Sequence, residues 1–169
     1  MPPTIGIFMS RGTRLADWAR QGILERETAV YRELASTGTG IFYLFVPDRH
    51  IPAEWSQSLL PLRVVGPDLM HRIRAIGDCT VLRGHNGRAL AAPMLASVLF
   101  GKRLVVRFGY IWSMDMIHRG ASGLKLWLVL GLEWLACRFA DAVIVASEKQ
   151  ATYLRDVHGL TSGDCDATV

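Results

Sequence analysis

Short apolar runs alternate with longer helical stretches along almost the whole chain, and this alternation restricts the fold more than any other feature. The runs at residues 5–9, 41–46 (IFYLFV), 62–65, 80–82, 104–108 (LVVRF) and 142–146 have the length and β-branched content of strands. Between them, residues 22–35, 68–76, 88–100, 123–139 and 147–157 carry helical patterns, and 51–60 reads as loop with a short helix. Gly38 and Gly40 stop the first of these helices, and Pro47 ends the second strand. Strands that are apolar on both faces need cover on both sides, which parallel strands obtain from the helices that connect them. The expectation is an α/β domain of three layers over residues 1–160, with a mostly parallel sheet of about six strands. Residues 161–169, small and polar, are expected to form a loose tail.

At 169 residues, with 50% apolar and 20% charged side chains, the chain is long enough for one domain with a sizeable core. Its net charge of +4 is unevenly spread. Between Pro61 and Tyr110 eight basic residues face two acidic ones, Asp68 and Asp78, so this segment is strongly positive. That favours phosphorylated or membrane-associated partners. The basic residues form no compact tract with interleaved aromatics, which speaks against nucleic acid. Three widely spaced cysteines, with no C-x-x-C, fit neither a disulfide scaffold nor a zinc site, and a reducing cytoplasm is the expected compartment. The five histidines have no metal-ligand spacing, so no metal is expected. The sequence lacks G-x-G-x-x-G after the first strand, G-x-x-x-x-G-K-[ST] and G-x-S-x-G, which weakens dinucleotide, P-loop and hydrolase readings.

Ligands of open α/β sheets bind at the carboxyl ends of the strands. Residues 81–113, VLRGHNGRALAAPMLASVLFGKRLVVRFGYIWS, place two polar loops there: one with His85 and Asn86, the other with Arg107, Gly109 and Tyr110. Arg107 stands in an apolar strand and must reach water or find a partner; its guanidinium can hold a phosphate or carboxylate, or form a structural ion pair. Tyr110 and Trp112 can wall a sugar ring or cover the sheet end, and covering is the expected role. Gly22 opens a helix whose first turns carry Glu25 and Arg26; a helix start with a glycine suits a phosphate, and it also suits a plain exposed turn. Ser147 is read as an N-cap. Residues 124–139, LKLWLVLGLEWLACRF, are apolar nearly all round. Such a helix is about 24 Å long, short of a hydrocarbon core of about 30 Å. Burial against the sheet is expected of it, with docking at a membrane interface as the second option, where Arg72, Arg74 and Arg103 could meet anionic lipids.

These signals, in this order, resemble the amino-terminal, Rossmann-like half of retaining GT-B glycosyltransferases of family four. The resemblance rests on Gly101-Lys102 followed by Arg107-x-Gly109-Tyr110, on Gly22 with Glu25 and Arg26, and on residues 133–148, EWLACRFADAVIVASE, with an inward Glu133 and then Ala-Asp and Ser-Glu. It implies a nucleotide sugar as donor substrate, no further cofactor, and a polysaccharide or lipid-linked acceptor, reached at the inner face of the membrane where the acceptor is a lipid. Gly22, Glu25, Arg26, His85, Asn86, Arg107, Gly109 and Tyr110 are the implied substrate contacts. The histidine that many relatives carry in the last loop is replaced by Gly109. The donor-binding carboxyl-terminal domain of the family has no counterpart here, so the resemblance implies an enzyme half that is inactive alone. The alternative is a non-catalytic Rossmann-like module that binds an anionic ligand or a partner protein.

Overall fold

The first two apolar runs form β1 (Thr4–Phe8) and β2 (Ile41–Phe45), paired in parallel with Gly6 opposite Tyr43 and Phe8 opposite Phe45. β2 pairs on its other side with β3 (Arg63–Val65), also in parallel, and is buried at every residue after Ile41. This is the position that the unbroken run IFYLFV suits, since a central parallel strand has no wet face. The structure, a computed structural model, describes residues 2–9, 14–85, 90–160 and 165–167. It divides into two compact units, Met1–Leu82 and Arg83–Val169.

In the first unit the strand order is β3-β2-β1. Its core gathers Ile7, Leu15, Trp18, Phe42, Leu44 and Val46, with the Phe8 and Phe45 rings stacked 4.4 Å apart. Four helices belong to it: α1 (Leu15–Arg20), α2 (Ile23–Ser36), α3 (Ala53–Ser58) and α4 (Leu69–Asp78). α1 stands in what the sequence reads as loop. It is fixed from outside: Leu15 N donates to Asp48 Oδ2 at 3.0 Å, while Leu15 and Trp18, one turn apart, are buried. Asp68 caps α4, accepting from His71 N at 2.8 Å. Arg72 does not face outward as a lipid contact would. It donates to the carbonyls of Gly66 (2.8 Å) and Val46 (2.5 Å), satisfying backbone at the ends of β3 and β2, and burial lowers its pKa from the ordinary value.

The division falls within β4 (Val81–His85). In the second unit the strand order is β4-β5-β6-β7. β5 (Arg103–Phe108) pairs in parallel with β6 (Ala142–Val145), Arg107 opposite Ile144 and Phe108 opposite Val145. β6 pairs in parallel with β7 (Cys165–Ala167), so part of the segment expected as a loose tail is a strand. The helices are α5 (Ala91–Phe100), α6 (Trp112–His118), α7 (Leu124–Phe139) and α8 (Glu148–His158). β4 runs on to include Arg83, Gly84 and His85, which puts His85 at the end of a strand and not in the loop. α6 stands where a continuous loop is expected. Both units alternate parallel strands with helices, the Rossmann-like α/β arrangement that the periodicity predicts.

Gly6 lies where a side chain has no room. A Cβ there would come within 2.9 Å of Phe45 Cε2, 3.0 Å of Cys79 Sγ and 3.1 Å of Leu82 Cδ2. Gly6→Ala is expected to lower stability by about 1–3 kcal/mol through overpacking, checked by urea denaturation with an unchanged m-value.

Candidate functional site

Because β5 and β6 are parallel and in register, the loops that leave their carboxyl ends emerge side by side. After Phe108 come Gly109, Tyr110 and Ile111, then α6; after Val145 come Ala146 and Ser147, then α8. Gln150 ties the two loops. Its Oε1 accepts from Ala146 N at 2.9 Å and its Nε2 donates to the Gly109 carbonyl at 3.3 Å. Ser147 caps α8 as expected, accepting from Gln150 N at 3.4 Å. The pair Ser147 and Gln150 is thus a capping box whose glutamine reaches back one residue further than usual and on to the neighbouring loop. An S-x-x-Q spacing before a helix was the available signal for it.

The start of α6 is held by a residue 20 positions away. Glu133, on α7 and fully buried, accepts from Trp112 N at 3.0 Å and Ser113 N at 3.1 Å through Oε1, and from the Ser113 hydroxyl through Oε2. Since the Ser113 proton goes to the carboxylate, the Tyr153 hydroxyl, 2.9 Å from Ser113 Oγ, is the donor to Ser113. His158 Nε2 lies 3.7 Å from Glu133 Oε2, with no closer polar partner among the described residues. The arrangement places a carboxylate at a helix amino terminus, where exposed N–H groups and the helix dipole favour negative charge. It locks Ile111 into the core and sets Tyr110 at the rim with about half of its surface (54%) open. Ile111 and Ser113, not Tyr110, therefore close the sheet end, which corrects the covering role expected of the tyrosine.

Arg107 alternates with the buried Val106 and Phe108, so its side chain leaves the opposite face of β5 and is half-buried, one residue from the strand's end. His85 ends β4 in the same unit. Asn86 lies outside the described residues. Gly22, Glu25 and Arg26 belong to the first unit and are described there alone. Gly22 has φ 64° and joins two helices: its N–H donates to Ala19 O, closing α1, and α2 starts at the next residue. That left-handed turn explains the glycine by itself. Glu25 and Arg26 are exposed, Glu25 4.0 Å from Arg32 and Arg26 3.5 Å from Glu27, as on a plain solvated helix start. Among the described residues no three His, Cys, Asp or Glu are grouped to hold a metal.

The class of protein this geometry defines is a Rossmann-like α/β protein with paired loops at parallel strand ends. No family model and no curated protein sequence matches the chain. Among solved structures, Anabaena Alr3699/HepE in complex with UDP and glucose is similar at a TM-score of 0.62 and 17% identity, over 97% of this chain and 43% of that one. The same protein with UDP-glucose gives 0.57 and 18% over 96% and 42%. A putative UDP-N-acetylglucosamine 2-epimerase from Listeria monocytogenes gives 0.56 and 13% over 98% and 44%. At such identities the likeness is one of fold, and the chain spans less than half the length of these proteins.

Two outcomes test the buried network. Glu133→Ala should cost about 3–5 kcal/mol, because two backbone N–H groups and a hydroxyl lose their acceptor in the interior, whereas Glu133→Gln, which keeps one acceptor oxygen, should cost less. Chemical denaturation of the two variants reads the difference. Burial, together with the Glu133 charge, raises the Tyr153 pKa against the lowering effect of the Ser113 hydrogen bond. The sign follows: a phenol held neutral in the folded state contributes stability that is fully present below the unfolded value, about 10, and is lost as pH rises through the raised folded value. Tyr153→Phe should accordingly flatten the alkaline decline of the melting temperature above pH about 10.

Proposed function

We propose that this chain is the amino-terminal, acceptor-side half of a GT-B, family-four-like glycosyltransferase that moves a sugar from a nucleotide-sugar donor to a glycan or lipid-linked acceptor. The observation that carries this reading is the loop pair after β5 and β6, braced by Glu133 and Gln150, with Arg107 and Tyr110 at its rim. Two of the three segments that carry the sequence resemblance, Gly101–Tyr110 and residues 133–148, build this pair, and the inward Glu133 that the resemblance implies is fully buried here. The fold likeness to a protein crystallised with UDP and glucose, over 97% of this chain, supports the same reading. The share of that protein covered, 43%, supports a half.

In this reading Tyr110 and the Gly109 backbone offer a face and a close approach to an acceptor sugar, and the Arg107 guanidinium offers two parallel donors to a phosphate or carboxylate. Of the first-unit residues, Gly22 stands at the start of α2 with its own N–H given to Ala19 O, and Glu25 and Arg26 are reachable from solvent. Stabilising the leaving diphosphate takes electrostatic groups on more than one side, so the half should not turn over a donor efficiently by itself.

The purified 169-residue chain is expected to give no steady-state transfer from UDP-glucose or UDP-N-acetylglucosamine, while the enzyme completed by a second βα domain with a Glu-x(7)-Glu motif transfers sugar. In that complete enzyme Arg107→Ala should lower kcat/KM by about tenfold to a hundredfold, the weight of one or two charge-assisted hydrogen bonds, with the melting temperature little changed. A large fall in melting temperature would assign Arg107 a structural ion pair instead. A coding region that ends at Val169 and yields a stable product with ligand affinity but no transfer would favour the non-catalytic module.

A further inference from the structure

One hydroxyl interrupts the apolar run of β2. Tyr43 is buried, and its hydroxyl donates to Asp78 Oδ2, at the end of α4, at 3.0 Å and accepts from Arg63 Nη1 at 3.1 Å. Arg63 stands directly opposite Tyr43 on β3, with its guanidinium carbon 5.6 Å from the centre of the ring. Among the described residues Arg63 makes no other hydrogen bond, so most of its five donors are left over. Across from it, α4 brings His71, Arg74 and Asp78 onto one stripe at spacings of three and four residues. Arg74 is exposed and has no hydrogen-bonding or ionic partner among the described residues. Between β3 and α4 lies a cavity of about 270 Å³, bordered by Tyr43, Arg63, Val64, His71, Arg74 and Asp78. It is built from the first unit alone.

The free edge of β3 adds main-chain groups to this cavity. β3 is the outermost strand on its side, and Val65 O accepts from Val46 N, so Val65 and Arg63 turn their backbone groups toward β2. Val64, between them, turns its N–H and C=O the other way. Its side chain packs on the opposite face of the sheet, with the core that holds Leu44, so what it shows the cavity is main chain. The charges at the walls are Arg63 and Arg74 against Asp78, with His71 beside Arg74. Asp78 is engaged by Tyr43, and Asp68, the next carboxylate along α4, is engaged by His71 N as the helix cap. Two guanidinium groups without a carboxylate of their own, one on a strand and one on the facing helix, suit an oxyanion held between two forks. Arg63 is already steadied by Tyr43, which lowers the ordering cost of gripping a ligand. A solvated helix face accounts for Arg74 alone, but not for a buried tyrosine that holds a second arginine at the same cavity. The size, just below the about 300–1,000 Å³ of sites for drug-sized ligands, calls for a smaller molecule, and the Tyr43 ring and Ala75 give it an apolar wall.

We propose that the cavity between β3 and α4 binds a small organic oxyanion, a phosphate monoester or a carboxylate, clamped between Arg63 and Arg74 with its body against Tyr43 and Ala75. The proposal stands whether or not the chain takes part in sugar transfer. Titration of the isotope-labelled 169-residue chain with phenyl phosphate and with benzoate, followed by backbone amide signals, tests it. At least one of the two is expected to move the signals of Val64, Gly66 and Ala75 to saturation, with a Kd of about 1 mM or tighter, while neutral phenol leaves them in place. The tighter of the two anions names the head group. Arg74→Gln, at an exposed position without a partner, should weaken that binding about tenfold with an unchanged melting temperature, the weight of a charge-assisted hydrogen bond. Tyr43→Phe, which keeps the ring and releases Arg63, should weaken it several-fold, an effect that a purely structural Tyr43–Arg63 pair would not have. Absence of saturable shifts with both anions at low salt overturns the proposal. So does binding that Arg63→Gln and Arg74→Gln leave unchanged, or saturable shifts that lie away from β3 and α4.

Discussion

The buried carboxylate of Glu133 is the interaction on which the second unit depends. An ion without water is costly by several kcal/mol, and that cost is offset here by three donors, two of them backbone N–H groups at the start of α6. Those N–H groups would be orphans without it, because Ile111 and Ser113 are themselves buried. One side chain therefore joins α7 to α6 directly and reaches α8 through Ser113 and Tyr153. Its consequence for the candidate site is positional. With Ile111 and Ser113 pinned inside, the loop from Phe108 has only Gly109 and Tyr110 to turn in, and Gln150 fixes the Gly109 carbonyl from the other side.

The regular elements were legible in the sequence because each is long enough for its period to show. IFYLFV, LVVRF and AVIVA gave strands within a residue or two of their ends, and α4, α5, α7 and α8 followed from helical spacing and caps. The short helices α1 and α6 were not legible. Six and seven residues are too few for an apolar period, and both are nucleated from afar, α1 by Asp48 and α6 by Glu133. β7 was missed because Cys165–Ala167 has no apolar run; its pairing with β6 is a backbone event. α7 departs from the burial expected of it, since Val129, Glu133, Ala136 and Cys137 are buried while Leu124, Trp127 and Leu128 are exposed, and this has a different origin. Composition reports how apolar a helix is, not how many of its sides find a partner.

The candidate site shows the same division. Arg107, Gly109 and Tyr110 were legible because a charge in an apolar strand and a glycine-aromatic pair after it stand out locally. Gln150 was not, since its work is done across to a loop 41 residues away. Gly22 was legible as a special position, but a junction between two helices accounts for its positive φ without any ligand. For that reason the reading of function leans on the loops of the second unit more than on Gly22, Glu25 and Arg26.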